Sequence, residues 1–325
     1  MKKIQGCAAL IAAAALFFAA GCEKKRETVR AFALDTEISI TTDAADKKIA
    51  EEAVAICRKY EKMFSRTDSE SELCRLNGGE IKTPGSELKS LIETGLSFSR
   101  LTDGAFDITL APLTDLWNIK ERKIPPESSE IAAALRNTGY ERVTLAPFSL
   151  GGTEIDLGAV AKGYIADRLR KYFNEQGVNN VICDLGGNVM LSGEYTVGIQ
   201  SPFSEGELFA VMRLRDTNAV TSGAYQRYFE YNGVRYHHIL DARTGSCAES
   251  DAASVTVVSP CAVNADALST AIFILGTNGL ELCSRFPDTD AIVITKDGEY
   301  RTTEGFAEKY KLKIKFQNLL HFNGK

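Results

Sequence analysis

The sequence predicts an α+β protein: a single large mixed domain with β-sheets flanked by helices. Three observations carry that reading. Short segments with strand-like apolar patterning recur from Arg30 to Ile294, a few longer segments with helical spacing interrupt them, and no Pro/Gly/Ser-rich linker or charge block divides the 325-residue chain. Length alone would allow two domains, since roughly 150 residues per domain is the usual guide. With 44% apolar and 25% charged residues, the chain can pack a core, and disorder or a collagen-like repeat is excluded.

Lys2 and Lys3 precede a nearly uncharged apolar stretch over residues 4–20, too short and too Ala-rich to span a bilayer comfortably, so residues 1–21 read as a signal peptide. Gly21-Cys22 follows Ala19-Ala20, the small-residue setting in which a bacterial lipoprotein signal is cut before a Cys that becomes acylated. Cys22 is therefore the expected lipidation site, with plain secretion as the alternative, and residues 22–30 form the lipidated N-terminus and linker. The formal net charge of −5 becomes two units more negative once the two lysines are removed. Membrane attachment then depends on acyl chains at Cys22 rather than on a basic patch. The lack of a basic surplus also argues against general nucleic-acid binding.

Alternation over residues 30–41 predicts a first strand, and Ile49, Val54, Ile56, Cys57 and Tyr60 then set helical spacing over residues 43–64. A second helix is expected over residues 86–101, an irregular stretch over 105–117, a turn at Pro125-Pro126 and a short helix near 129–137. Strands are expected at residues 143–145, 153–157, 181–183, 195–200, 209–214, 255–258 and 291–294, and helices at 161–175 and 265–275. The domain spans residues 31–316, followed by a polar tail, 317–325. Six cysteines beyond Cys22 are widely and irregularly spaced without a C-x-x-C, so packed thiols are expected, with room for one or two bridges in an oxidising compartment.

Chemistry concentrates in four places. On the helix near residue 266, Asp266, Ser269 and Thr270 stand at i, i+3 and i+4 and share one face. One carboxylate and two hydroxyls suit Mg²⁺, although an Asp near a helix start is more often a cap. The glycine turn from Gly158 to Gly163 leads into a helix and can point N–H groups at an anion, but Tyr164 stands where a P-loop needs Lys. Asp184-Leu-Gly-Gly-Asn188 makes a second glycine turn. Thr221-Ser-Gly223 leads through a hairpin at Tyr231-Asn-Gly233 to His237 and His238, where His238 beside Asp241 offers a near-neutral base with an orienting carboxylate.

Together these segments resemble the FAD:protein FMN transferase family, the ApbE-like flavin transferase lipoproteins. The resemblance runs from about Ala31 to Ile294. It is carried by Phe64-Ser-Arg-Thr-Asp-Ser-Glu-Ser-Glu-Leu73, Thr102-Asp-Gly-Ala-Phe-Asp107, Ile155-Asp-Leu-Gly-Ala-Val-Ala-Lys-Gly-Tyr164, Leu185-Gly-Gly-Asn188, Thr221-Ser-Gly223 and Asp266-Ala-Leu-Ser-Thr270. It implies a T-fold-related architecture and Mg²⁺-dependent transfer of FMN from FAD, the substrate, to a threonine hydroxyl of an exported acceptor, with AMP leaving. Metal contacts fall by the same resemblance on Asp266, Ser269, Thr270 and the Ala159 carbonyl. Flavin-nucleotide contacts fall on Leu34, Thr67, Ala105, Phe106, Asp107, Asp156, Lys162 and Leu240.

His238 is the implied acceptor of the threonine proton; the rival is transfer by metal and positioning alone, with His238 only binding FAD. The implied partner carries a Ser/Thr-Gly-Ala-Thr-like sequence, as on a subunit of a membrane redox pump. Ser222-Gly-Ala-Tyr225 in this chain lacks the Thr, so self-modification is not expected. An exported protein, lipid-anchored on the extracytoplasmic or periplasmic side of a bacterial membrane, is the implied localisation. Four positions depart from the family pattern: Leu34 and Asp35, where Leu34-Asp-Thr36 replaces Met-Gly-Thr, Thr67, which replaces a frequent aromatic, and Ala242, which replaces a common Pro. Thr67 keeps an FAD pyrophosphatase in view, and the glycine turns a non-catalytic flavin-binding lipoprotein.

Overall fold

Eight strands form one antiparallel sheet in the computed structural model, which describes residues 25–315. The expected signal peptide, the expected lipidation site Cys22 and the polar tail lie outside the described residues. Across the sheet the order is Arg26–Ala33, Thr36–Asp43, Val181–Asp184, Asn188–Ser192, Asn218–Gly223, Ala252–Ser259, Asp290–Thr295 and Tyr300–Thr302. Each strand runs antiparallel to its neighbour. Because successive side chains point to opposite faces, Val181, Cys183, Met190, Val220 and Val257 enter a core built with helices. Ile182, Val189, Leu191, Ala219 and Val258 enter a second core against a small sheet of Glu194–Gln200, Leu208–Arg215 and Lys313–Ile314.

Five helices supply the first core: Lys47–Phe64, Glu72–Asn77, Ser86–Leu101, Ala161–Glu175 and Ala262–Leu275. The last is buried almost all round, through Ala265, Ala267, Leu268, Ala271, Ile272 and Phe273. Apolar burial holds it in place, and Asp266 and Ser269 are polar exceptions within it. A third, satellite core joins Leu113, Trp117, Phe229 and Leu240. There Tyr236 stacks on Trp117 and Phe229, with centroids 5.8 and 5.3 Å apart, which pins the hairpin Tyr228–Tyr231/Val234–His237 that leads to His238.

The expected single mixed domain is present, with several local differences. The predicted strand over residues 30–41 is two strands, broken at Leu34 and Asp35, which adopt φ of 57° and 60°. No glycine marks that left-handed turn, so alternation reads straight through it. Residues 153–157 are not a strand. Their backbone is held by a side chain instead: Asn77 Nδ2 donates to the Ile155 carbonyl at 2.8 Å and Asn77 Oδ1 accepts from Ile155 N–H at 2.9 Å. The stretch expected to be irregular contains the helix Ala111–Trp117, with Pro at its start where a missing N–H costs nothing. Asn188–Ser192 is a strand buried on both faces, which erases the alternation that would have revealed it. All six described cysteines are free thiols.

Candidate active site

Two helices meet where the predicted metal ligands lie. Gly163 N–H, in the first turn of Ala161–Glu175, donates to Asp266 Oδ2 at 2.8 Å. In a regular helix that N–H would bond back to residue 159. Its use on Asp266 leaves the Ala159 carbonyl free of that intrahelical bond. Only glycine fits here, because a Cβ would lie 2.6 Å from Val263 Cα. Asp266 is 5% exposed. Burial pushes its carboxyl upward, while Lys162, Gly163 N–H and the Asn188 amide draw it back towards the charged form.

Ser269 and Thr270 differ from each other. Ser269 is fully buried, donates to the Asp266 carbonyl at 2.9 Å and pairs with Ser222 Oγ at 2.8 Å. Thr270 Oγ1 lies 3.3 Å from Ser222 Oγ and is partly exposed. The hydroxyl with spare capacity for a metal is thus Thr270, with Ser269 and Ser222 bracing it. Asn188 lies fully buried against this corner, with its amide directed to the Asp266 carboxylate. Carboxylate, carbonyl and hydroxyl oxygens are the donor set that a hard cation such as Mg²⁺ takes, so these residues fit one. Among the described residues no three His, Cys, Asp or Glu side chains gather as metal ligands, so such a site would complete its shell with water or substrate oxygens.

Lys162 turns towards the second glycine turn and donates to the Gly186 carbonyl at 2.8 Å. Burial lowers its pKa, and Asp266, Asp184 and Asp35 oppose that shift. Asp184 Oδ1 shapes this turn by accepting from Gly186 and Gly187 N–H at 2.9 and 3.2 Å. His238 approaches from the hairpin side. Its Nδ1 lies 3.3 Å from the Arg227 carbonyl oxygen, which can only accept, so Nδ1 carries the proton and Nε2 keeps its lone pair. Burial, followed by the positive charge of Arg227, pushes the imidazole down to about 3, so it is neutral at physiological pH. The orienting partner expected for His238, Asp241, is engaged elsewhere: both its oxygens bond Arg243, the closer contact at 2.6 Å. That pairing follows from the tight turn Asp241 opens, in which it also accepts from Arg243 N–H at 2.9 Å.

The expected nucleotide contacts divide between side chains and backbone. Asp156 accepts from Gly158 N–H at 2.8 Å and pairs with Arg66 at 3.3 Å, and Arg66 also reaches Asp115 at 2.6 Å. Thr67, next to Arg66, is exposed. Leu34 sits in the strained turn with its N–H bonded to Glu61 at 2.8 Å. Phe106 packs edge-on against Phe98 at 6.2 Å, Ala105 is fully buried, and Leu240 belongs to the satellite core, so their side chains are committed to packing. Asp107 is engaged as well, by Thr109 N–H and Oγ1 and by Tyr140 N–H, at 2.8–2.9 Å. Arg66, Asn188, Ser222 and Arg227 were not singled out from the sequence. Arg66, Asn188 and Ser222 do sit inside motifs it displayed, whereas nothing local sets Arg227 apart from other arginines.

This architecture recurs in a solved flavin transferase: a structure titled flavin transferase ApbE from Vibrio cholerae, in mutant form, superposes with a TM-score of 0.75 at 25% identity, over 87% of this chain and 99% of the other. The ApbE protein of Thermotoga maritima superposes with a TM-score of 0.78 at 31% identity, over 87% of this chain and 99% of that one. The profile of the ApbE family matches residues 34–293, and the chain belongs to that family. Among its relatives, a Klebsiella pneumoniae (strain 342) protein named FAD:protein FMN transferase is 35% identical, covering 78% of this chain and 84% of the relative. One of the same name from Treponema pallidum (strain Nichols) is 34% identical, with 81% of each chain covered.

Proposed function

We propose that this protein transfers FMN from FAD to a threonine hydroxyl of an exported acceptor protein and releases AMP, in a Mg²⁺-dependent reaction. One observation carries the reading: Lys162, which bonds the Gly186 carbonyl of one glycine turn and adjoins Gly163, whose N–H bonds Asp266, lies within electrostatic reach of both Asp266 and His238, so three separate segments meet there. When bound, a divalent ion would offset the charge that develops on the phosphate oxygens. Asp266, Thr270 and the Ala159 carbonyl are the residues that would hold it, with Ser269 and Ser222 fixing the hydroxyl. Lys162 and Arg227 offset negative charge of the pyrophosphate. Nε2 of His238 takes the proton of the attacking hydroxyl as the new P–O bond to FMN forms and the P–O bond to AMP breaks.

Exposed Thr67 favours a second activity, hydrolysis of FAD by water in place of the acceptor. Counting AMP, free FMN and acceptor-bound FMN separates the two. Transfer gives AMP equal to bound FMN only when a Ser/Thr-Gly-Ala-Thr acceptor is present; AMP with free FMN, regardless of acceptor, would replace the proposal with the pyrophosphatase. Export and anchoring at Cys22 complete the reading and are motivated by residues 1–22. Cys22→Ser should shift the protein from the membrane to the soluble extracytoplasmic fraction, and an unchanged membrane fraction would refute the anchor.

A further inference from the structure

We propose that Asp167 is a positioning residue that sets the Asp266 carboxylate in place through the helix Ala262–Leu275. The inference rests on the reading of Asp266 as a metal ligand. Asp167 lies one turn after Gly163 on the same helix, so the two share a face. Gly163 N–H bonds Asp266 directly, and Asp167 holds the start of the helix that carries it. Asp167 Oδ1 accepts from Ala262 N–H at 2.8 Å, Oδ2 accepts from Val263 N–H at 3.0 Å, and the Cys261 thiol approaches Oδ2 at 3.7 Å. These N–H groups are first-turn donors without intrahelical partners, and Cys261, at the N-cap position, provides no side-chain cap. The cap comes instead from the neighbouring helix, which ties the two helices into one register.

A second tie supports the first. Arg170 Nη2 donates to Asn218 Oδ1 at 2.9 Å and to the Thr217 carbonyl at 3.1 Å. Asn218 Nδ2 donates onward to the Ser259 and Pro260 carbonyls at 2.8 and 3.1 Å, holding the connection that enters the helix. Asp266 follows within about one turn of the capped residues. Its oxygens therefore sit where Asp167 and Asn218 fix the helix start, and the close contact at Gly163 leaves no slack to absorb a shift.

The test uses the whole chain with Asp167→Asn and, as comparator, Phe173→Leu, a fully buried change on the same helix away from the cap. Mn²⁺ alone is titrated and its uptake read from the EPR signal of the free ion, alongside thermal unfolding. Asp167→Asn retains an acceptor oxygen and the fold, and its Mn²⁺ affinity should fall about 10-fold, the lower range for an outer partner of a metal ligand. Phe173→Leu should lose at least as much thermal stability with unchanged Mn²⁺ affinity. Parental affinity in Asp167→Asn, an equal affinity loss in Phe173→Leu, or failure of Asp167→Asn to fold would each overturn the assignment in favour of a purely structural cap. Asp266→Ala separates the two levels. If it takes up Mn²⁺ like the parent, or if the parent takes up none, the metal reading itself fails; if it loses Mn²⁺ while Asp167→Asn does not, only the positioning role fails.

Discussion

Replacing Gly163 by Ala sets helix propensity against the geometry of the site. Alanine is the better helix former by about 1 kcal/mol, so propensity alone predicts a small gain in stability. The added Cβ, however, would meet the Ala262 carbonyl oxygen and lie 2.6 Å from Val263 Cα and 2.8 Å from the Ala262 carbonyl carbon. These are backbone atoms, and no side chain can rotate out of the way. Overpacking of this kind costs about 1–3 kcal/mol. Parting the helices also stretches the bond from Gly163 N–H to the Asp266 carboxylate, a charge-assisted contact worth about 1.5–3 kcal/mol. The balance is a net loss of about 2–5 kcal/mol, which at about 2 °C per kcal/mol for a large domain lowers Tm by about 4–10 °C. Because the displaced group is Asp266, the rate of AMP release at saturating FAD should fall about 100-fold, the usual cost of an ångström of misplacement. Differential scanning calorimetry and an AMP assay read both. A Gly163→Ala protein with raised Tm and parental turnover would show that this helix contact does not hold Asp266 in place.

Asp266→Ala should lower AMP release about 1,000-fold, since several kcal/mol of charge stabilisation depend on the ion it holds; an unchanged Mg²⁺ requirement would remove it from the metal site. Asn188→Leu replaces the buried amide that draws Asp266 towards its charged form with an apolar group of similar size, so the Mg²⁺ concentration for half-maximal rate should increase about 10-fold. An unchanged Mg²⁺ requirement would remove the amide from the support of Asp266. His238 is neutral well below its ordinary range, so kcat/KM for FAD should show no inflection near pH 6.5. Burial also pushes His237 down, to about 4. Both folded values lie below the unfolded one. Their contribution to stability is therefore complete above pH about 6.5 and is lost as pH falls towards 4 and then 3, which unfolding scans across that window should record as a declining Tm.

Much of the site was readable because its chemistry is local in sequence. Asp266, Ser269 and Thr270 share a helix face by spacing alone, and the glycine turns announce themselves. Their division of labour was not readable. That Ser269 is bound to its own helix and to Ser222, leaving Thr270 with spare capacity, depends on a strand 47 residues away in sequence. Asp241 looked like the partner of His238 from adjacency, yet its own turn claims it for Arg243, and a backbone carbonyl orients the imidazole. In the fold, the helices were visible from periodicity. The paired strands around Leu34-Asp35 were not, because a left-handed turn without glycine leaves the alternation unbroken. Residues 153–157 misled for the opposite reason: they carry strand-like composition, but Asn77 satisfies the backbone bonds a neighbouring strand would have supplied.

The most direct test of the central claim is the intact mass of an acceptor protein bearing a Ser/Thr-Gly-Ala-Thr sequence, after incubation with this protein, FAD and Mg²⁺. FMN transfer adds one FMN moiety, located on the threonine and lost when that threonine is changed to valine. An unmodified acceptor in the presence of folded protein that binds FAD would contradict it.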